Sequence, residues 1–289
     1  MEIPYKNDVF NGMRALVCGA SKGIGRATAE MLALCGAEVF AISRSAPEIS
    51  GCISISCDLE NEGERDAMMD DVLAGGPIHI LVNNAGILRD KSFSKGSVED
   101  FRLVTDVHLM GTVYCTKACW DIMKDQEYGR IVVTSSSSGL YGNFGQTNYG
   151  ASKMGMIGMM NTLAQEGAKY NVKINALAPT AGTRMTEGLI HEKAFALLTP
   201  ETVTPAVLYL VSEDAPTRTI LAAGAGSFAV AKIVETEGMW LPEAEQTPEG
   251  IAANWAQISE GGERALQAGY EQSIKMVGQA AKGLGLEMA

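Results

Sequence analysis

A tyrosine and a lysine four residues apart, Tyr149 and Lys153, have the types and the spacing for proton-transfer chemistry. On a helix, side chains at this spacing share one face and lie close together. A free tyrosine hydroxyl has a pKa of about 10, which is too high for a general base at neutral pH. A neighbouring ammonium favours the phenolate and lowers this pKa, so the pair can exchange a proton with a substrate oxygen. Taken alone, such a pair is more often an ordinary helix surface pair.

A glycine-rich stretch, "VCGASKGIGRATAEML", is the second chemical signal. Its glycines, Gly19, Gly23 and Gly25, follow an apolar segment and open a helical pattern. Glycine tolerates positive φ and lets backbone N–H groups approach a pyrophosphate, while the helix N-terminus adds about half a positive charge. The stretch therefore predicts a dinucleotide site rather than a structural turn, and it favours the catalytic interpretation of Tyr149 and Lys153.

The residues after the second predicted strand bear on the choice of nucleotide. An acidic residue there would bind the ribose 2′-hydroxyl and repel a 2′-phosphate. This chain instead has Ser43, Arg44 and Ser45, and Lys22 adds a second cation from the glycine-rich stretch. An arginine can stack on adenine and bind a phosphate through two N–H groups. We expect NADP(H), with NAD(H) as the less favoured cofactor; the alternative is two solvated surface cations.

The elements that must position these residues alternate along the chain. Short apolar runs predict strands at 14–19, 38–43, 52–57, 78–83, 130–135 and 172–178. Helical periodicity predicts helices at 24–34, 60–74, 98–107, 111–124, 148–169 and 202–212. Strands that are apolar on both faces and alternate with helices are typical of a doubly wound parallel α/β sheet, the Rossmann arrangement.

The chain after residue 213 follows another pattern. Its predicted elements are an edge strand at 228–234, a helix that begins at Pro248 after the cap Thr247, and a last helix at 263–281. This segment has too few apolar residues for a core of its own. We therefore predict a single Rossmann domain at 1–230 with a partly helical C-terminal extension at 231–289.

Composition and charge argue against several classes of protein. The chain has 289 residues, is 46% hydrophobic and carries a net charge of −11, which disfavours nucleic acid and anionic membranes as partners. No apolar run reaches membrane length. The N-terminal "MEIPYKNDVF" lacks the apolar core of a signal peptide, and the C-terminal "LGLEMA" does not end in a peroxisomal tripeptide. The expected location is cytoplasmic.

The cysteines do not indicate disulfides or a metal site. They are scattered along the chain, at Cys18, Cys35, Cys52, Cys57, Cys115 and Cys119. With no Cys-x-x-Cys motif among them, we expect reduced thiols that fill small apolar spaces. Cys115 and Cys119 are one helical turn apart, but no second ligand pair accompanies them, so no metal is expected.

Further motifs give the chain a family resemblance. Its glycines are spaced Gly-x-x-x-Gly-x-Gly, Asp58-Leu59 follows the third strand, and "NNAG" ends the fourth. With the Tyr-x-x-x-Lys pair, this set resembles the short-chain dehydrogenase/reductase family over residues 14–186. The resemblance implies hydride transfer between a substrate and a nicotinamide nucleotide. It also implies that Tyr149 exchanges the proton and that Lys153 holds the nicotinamide ribose as well.

The resemblance assigns further roles by position. Ser136, thirteen residues before the tyrosine, would orient the substrate oxygen, with Ser135, Ser137 and Ser138 as close neighbours. His108 occupies the place of the family's asparagine, and we expect it to hold the same water and relay protons with a pKa near neutral. The implied cofactor contacts are Gly19, Ser21, Lys22, Gly23, Ile24, Gly25, Arg44, Asp58, Leu59, Asn84, Ala85, Gly86, Tyr149, Lys153, Pro179, Thr180, Gly182 and Thr183.

Longer stretches narrow the resemblance. "NNAGILRDKSF", "VHLMGT", "YGNFGQTNY", "APTAGTRMT" and "TPEGIAANWAQI" are similar to the (3R)-hydroxyacyl-CoA dehydrogenase part of the peroxisomal multifunctional enzymes of β-oxidation. Arg44 departs from that pattern, and the short stretch before "NNAG" resembles NADP-dependent carbonyl reductases instead. The implied activity interconverts a 3-oxoacyl thioester and its (3R)-3-hydroxyacyl form. One alternative is a carbonyl or steroid reductase. The other is a nucleotide-sensing protein without catalysis, and the intact Ser136, Tyr149 and Lys153 argue against this second alternative.

Two helices predict that the chain forms an oligomer, and one loop is expected to cover the substrate. The helix at 148–169 has apolar residues on more than one face, and the helix at 111–124 adds Val113, Trp120 and Met123. We expect both helices to bury against a second copy of the chain, which gives a homodimer or homotetramer. The alternative is that the segment 213–289 covers this surface. The loop at 184–200 is expected to cover a small-molecule substrate, an acyl thioester or another carbonyl compound.

Overall fold

The computed structural model describes residues 8–46, 48–181 and 192–287. The chain divides into two compact units, Met1–Val230 and Ala231–Ala289. Every residue that the sequence proposes for the site belongs to the first unit, so the fold of that unit is what positions the chemistry.

The central element is an eight-stranded sheet. Its strands are β1 (Arg14–Cys18), β2 (Glu38–Ser43), β3 (Cys52–Ser56), β4 (Ile80–Asn83), β5 (Gly129–Thr134), β6 (Val172–Pro179), β7 (Ile220–Gly224) and β8 (Ser227–Ala231). They lie in the order β3-β2-β1-β4-β5-β6-β7-β8, and each pair from β3 to β7 is parallel. This confirms the doubly wound Rossmann sheet. The winding reverses between β1 and β4, and ligands bind beyond the carboxyl ends of the strands at such a point.

Helices connect the strands. They are α1 (Gly23–Leu34), α2 (Glu62–Ala74), α3 (Val98–Thr105), α4 (Gly111–Asp125), α5 (Ser137–Tyr141), α6 (Thr147–Gly167), α7 (Glu192–Phe195) and α8 (Thr204–Val211). Asn61 and Ser97 start α2 and α3, because each side chain accepts a hydrogen bond from a first-turn backbone N–H. A π-helical turn, Asp106–Met110, joins α3 to α4, and two short 3-10 turns lie at Ala168–Tyr170 and Pro200–Thr202.

The central predicted strands are present because their apolar residues are buried, whereas β3 and β8, at the two edges of the sheet, are largely accessible. All residues of β1, β4 and β5 are buried, as continuous apolar runs predict for central parallel strands. One strand of the large sheet, β7, is missing from the sequence-based prediction. Its sequence, "ILAAG", is short and rich in alanine and glycine, which have low strand propensity. Ala225 and Gly226, with φ of 50° and 74°, then form a two-residue hairpin connection to β8.

The helices expected to face a second copy differ in what they expose. On α6, Met156, Ile157 and Met160 are buried within the chain, whereas Met154 is exposed. On α4, Trp120 and Met123 are buried within the chain as well. The expectation that these two residues complete an intersubunit contact is therefore wrong, because they already belong to the core of their own subunit.

The second unit is small. Its elements are β9 (Glu235–Thr236), a 3-10 turn (Glu243–Glu245), α9 (Pro248–Ala253), α10 (Trp255–Glu260), β10 (Glu263–Arg264) and α11 (Gly269–Leu284). As predicted, Thr247 caps α9 by accepting a hydrogen bond from the Gly250 N–H. The predicted last helix is wrong at its start, because Glu263 and Arg264 pair with β9 and the helix begins at Gly269. In the described ranges of the chain, no helix is long and apolar enough to cross a membrane.

Candidate active site

The glycine-rich loop connects β1 to α1 at the carboxyl edge of the sheet. Gly19 and Gly23 have φ of 83° and 58°, a region that favours glycine. The N–H groups of Gly19 and Ala20 donate to the Ile42 carbonyl at 2.8 and 3.0 Å, which fixes the loop against β2. Lys22 is the N-cap of α1, and its side chain makes no capping hydrogen bond. The first N–H groups of α1 are thus left for an anion.

Three glycines leave bare backbone around this loop. A Cβ on Gly19 would overlap the Ala85 backbone, and one on Gly25 would overlap the Gly19 carbonyl. A Cβ on Gly86 would collide with the imidazole of His108. In each case the protein itself fills the space, so these glycines are required for close packing of the loop against α1 and the segment after β4. The loop fits the expected dinucleotide through the uncapped N-terminus of α1.

A cleft of about 870 Å³ runs along the carboxyl ends of β1, β2, β4, β5 and β6, and this volume is in the range of cofactor sites. The proposed site residues in its wall are Gly19, Ser21, Lys22, Gly23, Ile24, Arg44, Asp58, Leu59, Asn84, Ala85, Gly86, His108, Ser136, Tyr149, Lys153, Pro179 and Thr180. Gly25 is not in the wall, because it packs α1 beneath the loop. Gly182, Thr183 and the first part of the expected substrate loop, 184–191, lie outside the described residues.

One end of the cleft carries the residues proposed to select the nucleotide. Arg44 and Lys22 are exposed there, and neither side chain has an ion pair with another described residue. The hydroxyl of Ser43 is buried without a hydrogen-bond partner in the described part of the chain. Asp58 and Glu60 line the same end, and the Glu60 N–H donates to the Asp58 carboxylate at 3.1 Å.

The other end brings Ser136, Tyr149 and Lys153 together. Tyr149 and Lys153 lie one turn apart on α6, and Ser136 is the N-cap of α5. The Lys153 ammonium is buried, donates to the Thr134 carbonyl at 2.5 Å and lies 5.4 Å from the centre of the Tyr149 ring. The hydroxyl of Ser135 instead donates to the Lys153 carbonyl at 3.0 Å, so this neighbouring serine supports α6.

Burial is the main cause of the pKa shifts of Tyr149 and Lys153. Burial lowers the pKa of Lys153 to about 7. Burial raises the pKa of Tyr149; a hydrogen bond with Ser136 opposes the shift, and the charge of Asp90 adds to it. Lys153 by itself thus does not lower the tyrosine pKa as expected; a second expected contribution, the positive nicotinamide of an oxidised cofactor, comes only with the bound cofactor. The hydrogen bond from Ser136 lowers the pKa of Tyr149, but the loss of solvent outweighs it.

His108 lies in the π-helical turn between α3 and α4. Its Nε2 is 3.0 Å from the Ile87 nitrogen and 2.7 Å from the Ile87 oxygen, and its ring meets the Tyr149 ring edge-on. Its Nδ1 is buried without a partner among the described residues. Burial, aided by the charge of Lys153, lowers the pKa of His108 to about 3. The expected near-neutral pKa is therefore wrong, and the imidazole is neutral at physiological pH.

Four residues that the sequence analysis did not assign form one polar wall of the cleft. Ser138, Asn143 and Gln146 line it, and Asp90 hydrogen bonds to Gln146. "YGNFGQTNY" carried part of the family resemblance, but two of its polar residues, Gln146 and Asn148, bond to Asp90 and Arg89, which are more than 50 positions away. A single sequence shows no sign of that pairing. In the described part of the chain, no group of three or more His, Cys, Asp or Glu side chains is placed to hold a metal.

Comparison with known proteins gives one family and consistent relatives. The family model for short chain dehydrogenases matches residues 13–194. The chain is 41% identical over 270 residues to the peroxisomal multifunctional enzyme type 2 of Mus musculus, covering 86% of this chain and 37% of the relative. It is 38% identical over 211 residues to an acetoacetyl-CoA reductase of Synechocystis, covering 68% of this chain and 87% of the relative.

A solved structure agrees with these relatives. Full-length peroxisomal multifunctional enzyme type 2 from Drosophila melanogaster superposes with a TM-score of 0.76 at 34% identity. The superposition covers 95% of this chain and 50% of that one. This chain thus spans about half the length of the multifunctional protein in that structure, and just over a third of its mouse relative.

Proposed function

The chain belongs to the short-chain dehydrogenase family, whose members are oxidoreductases that use nicotinamide cofactors, and on this premise we propose its reaction. It interconverts a 3-oxoacyl thioester and the (3R)-3-hydroxyacyl form, with NADP(H) as the redox partner. The observation that carries the proposal is the meeting of Ser136, Tyr149 and Lys153 at one end of a cleft whose other end begins at the glycine-rich loop. Relatives named for 3-oxoacyl and acetoacetyl-CoA chemistry support the thioester.

Three side chains share the work of proton exchange. When bound in the cleft, a nicotinamide cofactor would supply the hydride for reduction or accept it in oxidation. Ser136 donates a hydrogen bond to the substrate oxygen and holds it against Tyr149. In reduction the Tyr149 hydroxyl gives its proton to that oxygen, and in oxidation the phenolate takes it back. Lys153, with a pKa of about 7, can restore the proton on Tyr149 at neutral pH.

The preference for NADP(H) rests on residues after β2. No carboxylate occurs at positions 43–45 to repel a 2′-phosphate. Arg44 and Lys22 are exposed at the cleft and form no ion pair with a described residue, and Ser43 lies beside them in the cleft wall with a hydroxyl that has no hydrogen-bond partner among the described residues. NAD(H) is the alternative, because Asp58 and Glu60 lie at the same end and oppose an added negative charge.

A panel of substrates tests this proposal against its alternatives. Oxidation of NADPH and NADH is followed with acetoacetyl-CoA, a steroid ketone and a simple ketone. Turnover of the thioester with NADPH supports the proposal, and turnover of only the steroid or the simple ketone favours a general carbonyl reductase. Binding of a nucleotide with no turnover in the panel favours a nucleotide-sensing protein.

We also propose a homodimer or homotetramer. It is supported by the exposed Met154 and by Gly158, both on α6, since a Cβ added to Gly158 would meet nothing within 4 Å.

A cytoplasmic location stays a prediction. Relatives whose names place them in peroxisomes make the peroxisome the competing location. Subcellular fractionation of cells that express the full-length gene product distinguishes the two.

A further inference from the structure

A chain of hydrogen bonds runs through the polar wall of the cleft. The Gln146 amide nitrogen donates to the Asp90 carboxylate at 2.7 Å. The Ser138 hydroxyl donates to the Gln146 carbonyl oxygen at 2.7 Å, and the Asn143 amide nitrogen donates to Ser138 at 2.8 Å. The order of donors is forced, because an ionised carboxylate can only accept. Gln146 must therefore turn its NH₂ group toward Asp90 and its carbonyl toward Ser138.

This arrangement determines what Gln146 can offer to a ligand. Its carbonyl oxygen is engaged by Ser138, and one of its two N–H groups is engaged by Asp90. The second N–H remains without a partner among the described residues, and Gln146 lines the same cleft as Ser136 and Tyr149. The side chain is thus prepared to donate to an acceptor on the substrate rather than to accept from a donor.

The loop that carries Gln146 is held in place from both sides. Gly142 and Gly145 have φ of 77° and 82°, and the Gly145 carbonyl accepts from the Lys91 N–H at 2.9 Å. The Asn148 amide donates to the Arg89 carbonyl at 3.1 Å. These bonds join the loop to the segment around Asp90, so the amide is oriented before a substrate arrives, which lowers the cost of ordering it.

We propose that Gln146 donates a hydrogen bond to a second carbonyl oxygen of the substrate, and that Asp90 is the positioning residue that sets the direction of the amide. The inference rests on the proposed function. A 3-oxoacyl thioester has the thioester carbonyl one methylene away from the reacting carbonyl, whereas a simple ketone has no acceptor there. The pair would then select β-dicarbonyl thioesters over simple ketones.

Asp90→Asn tests the direction of the amide with almost no change in shape. An asparagine can donate as well as accept, so Gln146 is free to turn its carbonyl oxygen toward the substrate. We expect the ratio of kcat/KM for acetoacetyl-CoA to that for cyclohexanone to fall about tenfold, mainly through KM, as loss of one hydrogen bond implies. The ratio matters because Asp90 also raises the pKa of Tyr149, and that effect is common to both substrates.

Asp100→Asn is the matched control. It makes the same change of charge at a carboxylate ten residues after Asp90. Asp100 pairs with the side chains of Lys91 at 3.0 Å and Arg89 at 3.9 Å, and it is not one of the two partners of the Gln146 amide, Ser138 and Asp90. Gln146→Met removes the donor itself and should lower the ratio by a similar factor, with folding checked by thermal unfolding.

Three outcomes are informative. A lowered ratio in Asp90→Asn and Gln146→Met, with Asp100→Asn like the wild type, supports the inference. An unchanged ratio in both site variants, with wild-type turnover of the thioester intact, overturns the inference and leaves the proposed function standing. Absence of thioester turnover in the wild type overturns the proposed function and the inference together.

Discussion

The imidazole of His108 stands edge-on to the ring of Tyr149, with the ring centroids 5.1 Å apart and the planes at 87°. The same imidazole contacts both backbone polar groups of Ile87 through Nε2. His108 thus links the backbone that follows β4 to the ring of Tyr149, whose hydroxyl is proposed to exchange the proton. Since its pKa is lowered to about 3, the link is one of shape and hydrogen bonding rather than of charge.

Replacing His108 by Asn should therefore keep most of the activity, because an amide can also hydrogen bond to Ile87, whereas His108→Ala should cost more. The pH dependence of kcat/KM between pH 5 and 8 should be the same in wild type and His108→Asn, since the imidazole does not titrate in that range. A missing or displaced limb in the His108→Asn profile would show that the histidine takes part in proton transfer.

Tyr149→Phe should lower kcat/KM about a hundredfold or more, which is ~3 kcal/mol of transition-state stabilisation. The substitution removes the hydroxyl that exchanges the proton and keeps the ring against His108. Cofactor affinity, measured by fluorescence titration, should change little. Tyr209→Phe, at an exposed position of α8, is the control. Near-normal turnover of the best substrate by Tyr149→Phe would refute the acid–base role.

The buried Lys153 should make stability depend on pH. Its pKa in the folded protein is about 7, against an ordinary value of 10.5. Between these pH values the unfolded chain binds a proton that the folded chain does not, so the free energy of unfolding rises with pH. This stability is fully present above pH 10.5, declines as the pH falls below that value, and is gone once the pH has fallen through 7, where both states bind the proton. Urea unfolding from pH 6 to 10 should show a steeper rise for wild type than for Lys153→Met, and equal slopes would contradict the low pKa.

Arg44→Asp should reverse the proposed preference for NADPH over NADH. The substitution removes a cation and places a carboxylate where a 2′-phosphate would be repelled and a ribose hydroxyl accepted. The measurement is kcat/KM with each cofactor at saturating carbonyl substrate. Lys117→Asp, which makes the same change of charge at an exposed position on α4, should leave the preference unaltered. Equal efficiency of the wild type with both cofactors would remove the basis of the prediction.

The chain should form a symmetric oligomer in which α6 meets its counterpart. Light scattering at micromolar protein should report a multiple of the 30.6 kDa chain mass. Replacing the exposed Met154 by Glu should weaken the assembly, because a charge would be buried at the contact, while the buried Met156 faces its own core. A particle of the single-chain mass at these concentrations would exclude the oligomer.

The parts of the site that were predicted from the sequence are those whose chemistry is local. Gly19 and Gly23 are adjacent to the strand and helix that they join, and Tyr149 and Lys153 are one turn apart, so spacing alone indicated their placement. The buried strands β1, β4 and β5 were predictable because a strand covered on both faces is apolar throughout.

The parts that were not predicted depend on tertiary contacts. The Asp90–Gln146 bond joins residues 56 positions apart, and nothing in either segment indicates the other. The acidities of His108 and Lys153 follow from burial, which exists only once the chain has folded. The small residues of β7 have no strong strand propensity, and that strand forms because β6 is beside it to pair with.

The bare backbone at Gly19, Gly25 and Gly86 has a consequence for how this enzyme can be altered in the laboratory. Each of these positions is enclosed by backbone or by the His108 ring, so even alanine must displace a neighbour. Positions 44 and 45 are exposed, outside the sheet, and can accept many side chains without strain. A mutant library aimed at a new cofactor should keep the three glycines and randomise the short turn after β2, where most variants will still fold.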